Sequence, residues 1–212
     1  VDQAGNVFVT GYFNSPSLAI GASTLVNIST AVNAPDVFVA KYDPSGNALW
    51  GRSGDAGPTQ DYARAYSIGS DPSGNVYITG HFAYGSVSFD GHTLQTYGGF
   101  DMFLTKYDND GNVLWARHMG GTQTDLAQAL DVDSVGNVYI TGSFVDAANF
   151  GGISLVSTNT AYQEIFVAKY DTDGNSVWAN YALVPYAGNY ANGTGIVSDR
   201  MGNVYITGYF QY

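Results

Sequence analysis

The sequence has no cysteine among its 212 residues. It therefore holds no disulfide, no thiolate metal site and no cysteine nucleophile. Basic residues are scarce: seven Lys and Arg stand against 18 Asp and Glu, for a formal net charge of -11. A chain this acidic lacks the basic patches that nucleic acid and anionic membrane surfaces call for, so no nucleic-acid partner is expected. Glutamate is almost missing too, because 17 of the acidic residues are Asp and only Glu164 is Glu. Glu suits helices and Asp suits turns and caps, so the imbalance argues against helices. No window shows i, i+3, i+4, i+7 apolar spacing over helical length. No run of about 18 apolar residues is present, so no membrane insertion is expected. No export signal is visible, and the sequence opens at Val1 already inside a repeat. The native N-terminus is therefore expected further upstream.

What is abundant points to β-structure with tight turns: 27 Gly and 17 Tyr. The phrase GNVYITG stands at 74–80, 136–142 and 202–208, with GNVFVTG at 5–11. A second phrase alternates with it: KYDPSGNALW from Lys41, KYDNDGNVLW from Lys106 and KYDTDGNSVW from Lys169. Seven segments share D-x-x-G-N, at 2–6, 43–47, 71–75, 108–112, 133–137, 171–175 and 199–203. Asp at position i and Gly at i+3 are what a type I turn favours, with Pro (here Pro44 and Pro72) at i+1. The Gly supplies a positive φ, so each segment is expected to close a hairpin of two antiparallel strands.

One repeat can be laid out as four strands: a at 127–132, b at 137–144, c at 164–170 and d at 175–180. The connector 145–160 between b and c is expected to form a further short hairpin. Large side chains alternate on both faces of 76–79 and 101–107, which implies burial between stacked sheets. The phrase starts at Gly5, Gly74, Gly136 and Gly202, giving spacings of 69, 62 and 66 residues. Four short strands in about 65 residues suit a blade of a β-propeller. The expected fold is all-β, a β-propeller of four-stranded antiparallel blades. Residues 1–56 form a partial blade, 57–120 and 121–184 two blades, and 185–212 a further partial blade. About three blades fall short of the 4 to 8 that close a ring. The chain is thus expected to be a piece of a longer polypeptide, or to close its ring with other copies.

The succession of GNVYITG-x-F, F-x-G-x-x-L, D-x-F-x-x-K-Y-D-x-x-G-N-x-x-W and G-G…D-x-A resembles the bacterial SBBP family, the seven-bladed β-propeller repeats. The resemblance covers essentially the whole chain and departs at 181–192, where the G-G…D-x-A link is replaced. It implies a large, exported, multidomain protein, often with sorting or adhesion modules, and it implies no catalytic residues.

Most chemically capable residues fall at repeat positions. DNDG at 108–111 and DTDG at 171–174 resemble calcium loops, but an EF-hand places Gly sixth and a Glu twelfth. The turn reading is preferred, with calcium as the possible cofactor. Trp50, Trp115 and Trp178 share one position and read as a packing layer between blades. Lys41, Lys106 and Lys169 follow Asp36, Asp101 and Glu164 by five residues and read as structural ion pairs with neighbouring strands. His81, His92 and His118 occupy three unrelated positions and suggest no metal site. Asp61 and Asp125 both follow a glycine link and read as link caps, although either suits acid–base chemistry. Sequons at Asn27 and Asn192 are matches of a frequent pattern. The loop that replaces the third link carries Tyr181, Tyr186 and Tyr190, which are the candidate ligand-binding residues. The expected function is a non-catalytic, extracellular or cell-surface scaffold or adhesion module. Its expected partner is a protein or a glycan, or further blades of the same protein. The alternative is a propeller-type hydrolase or lyase acting on polysaccharide through Asp residues at one ring face.

Overall fold

A computed structural model of the chain describes residues 1–29, 34–57, 61–158, 160–183 and 190–211. The described residues form nineteen strands and no helix. They are β1 (Val7–Phe13), β2 (Ser17–Ile20), β3 (Ser23–Val26), β4 (Asp36–Tyr42), β5 (Ala48–Ala56), β6 (Tyr62–Ser70), β7 (Val76–Ala83), β8 (Ser86–Phe89), β9 (His92–Gln95) and β10 (Phe100–Tyr107). The rest are β11 (Val113–Gly121), β12 (Leu126–Val132), β13 (Val138–Val145), β14 (Ala147–Asn149), β15 (Ser154–Val156), β16 (Gln163–Tyr170), β17 (Ser176–Ala182), β18 (Ala191–Ser198) and β19 (Val204–Phe210).

The chain is all-β and repeats one four-stranded antiparallel meander. β12-β13-β16-β17 make one unit and β6-β7-β10-β11 another; β1-β4-β5 and β18-β19 carry parts of two more. The hairpins β8–β9 and β14–β15 lie between strands b and c of their own units. They nevertheless add to the outer strand of the preceding unit: Asp55 pairs with Ser88 and Gly120 with Asn149. Each hairpin carries an anchor, Phe89 or Phe150, fully buried and 5.0 Å from Phe103 or 4.8 Å from Phe166 by ring centroids. This accounts for the F-x-G-x-x-L phrase.

A small cluster of Phe13, Ile20, Leu25 and Ala40 lies within the first unit, while the two larger cores lie between units. One joins Val37, Val39 and Trp50 to Ile78 and Phe82, and the next joins Tyr77, Leu104 and Trp115 to Ile140 and Phe166. Alternate residues of β7 therefore face opposite neighbours, and all eight are buried. Strands a of successive units also touch: the Ser67 hydroxyl accepts from the Leu130 N–H at 3.0 Å, and the Asp131 carboxylate from the Ser198 N–H at 2.7 Å.

Every strand a carries a bulge at one place, skipping Tyr66, Gln128 or Thr194 in the register. The last glycine of GNVYITG exists for this bulge. A Cβ on Gly80, Gly142 or Gly208 would collide with the carbonyl oxygen of Arg64, Leu126 or Asn192. The preceding threonine ties strand b to strand c, since Thr79 and Thr141 donate to the carbonyls of Phe103 and Phe166.

Candidate functional site

Both D-x-x-G-N turns of a unit lie at one end, and the connectors and links lie at the other. At the turn end all seven Asp residues make one pattern. Oδ1 accepts from the N–H groups two and four residues on, and Oδ2 accepts from the Asn side-chain amide; at Asp108 these bonds are 2.9, 2.8 and 2.8 Å. The seven glycines hold φ between +76° and +90°. At Asp43 and Asp199 the Asn side-chain amide, then its backbone N–H, hold the carboxyl below its ordinary value. At Asp108 and Asp171 the oxygens a cation would use therefore already face N–H donors.

The units latch to one another through these turns. Trp50 Nε1 donates to the Asn109 carbonyl at 3.1 Å, Lys41 Nζ donates to the same carbonyl at 3.3 Å, and Arg52 Nε donates to that of Gly111 at 3.0 Å. One unit on, Trp115 and Lys106 donate to the Thr172 carbonyl and Arg117 to that of Gly174. The tryptophans do pack between units. The lysine reading holds for Lys41, which pairs with Asp2 beside the neighbouring strand β1 at 3.9 Å; it needs correction for Lys106, whose hydrogen-bond partner is the Thr172 carbonyl rather than a carboxylate. Asp36, Asp101 and Glu164 stay at the other end of the strand, since the five-residue spacing spans its length.

At the connector end, buried acids brace the backbone. Asp36 accepts from the Ala56 N–H, and Asp125 from the N–H groups of Gly121 and Val145. Asp101 accepts from the Tyr97 N–H and pairs with His118 Nε2 at 2.9 Å. Burial, the largest cause, raises the Asp36 and Asp125 carboxyls to about 7. Asp101 and Asp125 are both 0% exposed, so neither offers an open face to a substrate. Asp61 accepts from Gly57 and Ser86 N–H and holds the Tyr84–Gly85 turn. Asp61 and Asp125 are not equivalent, because Ala63 N donates to Pro35 O as Asp125 N donates to Phe100 O.

The unit of β6 and β7 departs from the others at this end. His81 is 6% exposed, stacked on Tyr66 (centroids 4.7 Å apart) and Tyr62 (6.1 Å), with the Phe100 edge at 5.1 Å. Burial, then the charge of Arg64, lowers its pKa to about 4, so it is a neutral imidazole near pH 7. Cross-strand from it, the Arg64 guanidinium lies between Tyr12 and Tyr62, 4.0 and 4.7 Å from the ring centroids. Tyr84 stands beside Phe100, 68% exposed, with φ +65°. In register, Arg64, Tyr66, His81, Tyr84 and Phe100 correspond to Leu126, Gln128, Ser143, Asp146 and Gln163 of the next unit. No aromatic or cationic side chain stands at any of those five counterparts. The sequence reading passed over this cluster and treated His81 as incidental. The signal was a strand-a alignment made through the bulge rather than through the Asp residues.

Of the residues expected to bind, Tyr181 and Tyr190 have different surroundings. The Tyr181 ring stands edge-on to Phe144 at 5.5 Å, and its hydroxyl donates to the Val156 carbonyl at 3.1 Å, which makes it a packing residue. Tyr190 is 51% exposed against Tyr162, and Tyr186 lies outside the described residues.

No family model matches the chain. Among curated proteins it is similar to an uncharacterized WD repeat-containing protein, L264, of Acanthamoeba polyphaga mimivirus. The two are 27% identical over 172 residues, 68% of this chain and 12% of that protein. It is also similar to the regulatory protein FlaEY of Caulobacter vibrioides, 30% identical over 176 residues, 79% of this chain and 18% of that protein. The chain thus spans less than a fifth of the length of either relative.

Proposed function

We propose that the chain is part of a β-propeller of SBBP type and serves as a non-catalytic interaction module, displayed outside the cell on a larger polypeptide. Its blades are the four-stranded units. The propeller reading is supported by sheets stacked face to face and by strands a that neighbour one another. The a–b turns of three units also line one cleft of about 290 Å3, with Gln3, Pro72 and Ser134 among its walls. Similarity to a WD repeat-containing protein points the same way.

The observation that carries the function is the asymmetry between the two ends. The turn end repeats one pattern seven times and spends its polar groups on its own backbone. The connector end carries the residues that break the repeat, with Tyr84 and Tyr97 exposed at 68% and 71%. Exposed, non-repeating tyrosines on a rigid scaffold supply contact area at low entropic cost. The module takes its partner, a glycan or a protein, at that end. A glycan array probed with the chain and with a Tyr84→Ala/Tyr97→Ala double variant tests it. Binding that the double variant loses supports the reading, and undiminished binding moves the partner away from the connector end.

A further inference from the structure

We infer that the Arg64–His81 cluster is a binding site for a carboxylated pyranose, such as a hexuronate residue of an acidic glycan. The inference rests on the connector-end reading and adds the ligand's chemistry to it.

The cation is the starting point. Arg64 is one of only seven basic residues in a chain of net charge -11, yet among the described residues no carboxylate pairs with it and no hydrogen bond engages it. Its Nε is buried without a partner, while the terminal nitrogens keep access to solvent. The Tyr12 and Tyr62 rings both lie within cation–π distance of the guanidinium, 4.0 and 4.7 Å from its carbon. With Nε buried, the two terminal nitrogens are the pair left to grip a carboxylate with two parallel hydrogen bonds. A neighbouring imidazole that stays neutral does not compete for that anion, and His81 Nδ1 is buried with no partner.

The surroundings point to a sugar ring. Tyr12, Tyr66 and Tyr84 are 43%, 40% and 68% exposed, which leaves flat amphipathic faces beside the cation. Tyr84 occupies a left-handed backbone position that suits Asp or Asn far better than a bulky ring, and the next unit indeed has Asp146 there at φ +64°. The Asp61 carboxylate, on the Ser86 N–H at 3.1 Å, and Thr96, on the Gly85 carbonyl, clamp that turn. A strained tyrosine held outward next to an unpaired arginine is arranged for a ligand.

The test is isothermal titration of the chain with penta-galacturonate, its methyl ester and a penta-glutamate peptide. It is repeated on Arg64→Lys, Arg64→Met and Tyr84→Ala. The expected result is binding of the galacturonate, at least tenfold weaker binding of the ester, and no binding of the peptide. Arg64→Met weakens binding at least tenfold. Arg64→Lys, which keeps the charge and loses the fork, weakens it severalfold. Tyr84→Ala, whose ring is mostly exposed, weakens it severalfold at an unchanged melting temperature. Equal binding of acid and ester, undiminished binding by Arg64→Met in a folded variant, equal binding of the peptide, or no galacturonate binding would each overturn the inference. A neutral glycan bound through Tyr84 would leave the connector-end reading standing while this one falls.

Discussion

The indole of Trp50 lies flat against Gly111 of the neighbouring unit, so close that a Cβ on the glycine would stand 2.9 Å from the ring. The glycine thus meets two demands at once: a φ of +82° and room for a tryptophan. Gly46 holds the same turn position at φ +85° with nothing within 4 Å of its Cβ site. Gly46→Ala is expected to lose about 1–2 kcal/mol from the left-handed backbone alone. Gly111→Ala is expected to lose about 1–3 kcal/mol beyond that, since the indole must move. Thermal melts of the two variants check the difference, at about 2–4 °C per kcal/mol for a chain of this size.

The strand-b glycines are less forgiving. A Cβ on Gly80 meets backbone, which cannot swing aside as a side chain can. Gly80→Ala is expected to cost about 4 kcal/mol or more. Soluble yield and far-UV circular dichroism would show the loss, and a variant melting like the parent would contradict the account of the bulge.

The buried acid Asp36 makes stability fall as pH rises. Its carboxyl titrates at about 7 in the folded chain and at about 3.9 when unfolded. Between those values the folded state holds a proton that the unfolded state has lost, so stability declines from about pH 4 to about pH 7 and levels off above. Asp36→Asn keeps the acceptor for the Ala56 N–H and replaces the unpartnered Oδ2 with a neutral amide. Its melting temperature is expected to decline less over that window and to exceed the parent's at pH 8. An identical pH profile for both proteins would count against a protonated Asp36.

Tyr181 is expected to behave as a structural residue. Tyr181→Phe keeps the ring on Phe144 and removes the bond to the Val156 carbonyl. A loss of about 0.5–1.5 kcal/mol is expected, with glycan binding unchanged. A binding defect without a stability defect would return the residue to the ligand site.

The parts legible in the sequence were those fixed by residues close along the chain. The D-x-x-G-N turns could be read because Asp, Gly and Asn satisfy one another within five residues. The connector hairpins at β8–β9 and β14–β15 could be read from their own phrase. The partners of Lys41 and Lys106 could not, because a backbone carbonyl in the next unit leaves no mark in the sequence. The Arg64–His81 cluster was hidden by the links before strand a, whose Asp residues are not equivalent. Matching Asp61 to Asp125 places Arg64 beside Gln128, whereas the hydrogen-bond register places it at Leu126. That two-residue offset concealed the aromatic cage around the arginine.

The hairpin exchange between units has a consequence for synthesis. A ribosome making this chain delivers β5 well before β8 and β9, which pair with its far end and bury Phe89 against it. Until they emerge, part of the rim of the first sheet carries unpaired amides, the kind of edge on which nascent chains aggregate. Each newly made segment therefore shields the one before it. A translation pause inside 57–95 is expected to be more hazardous than a pause after it, because only then is the guard for the finished sheet still inside the ribosome.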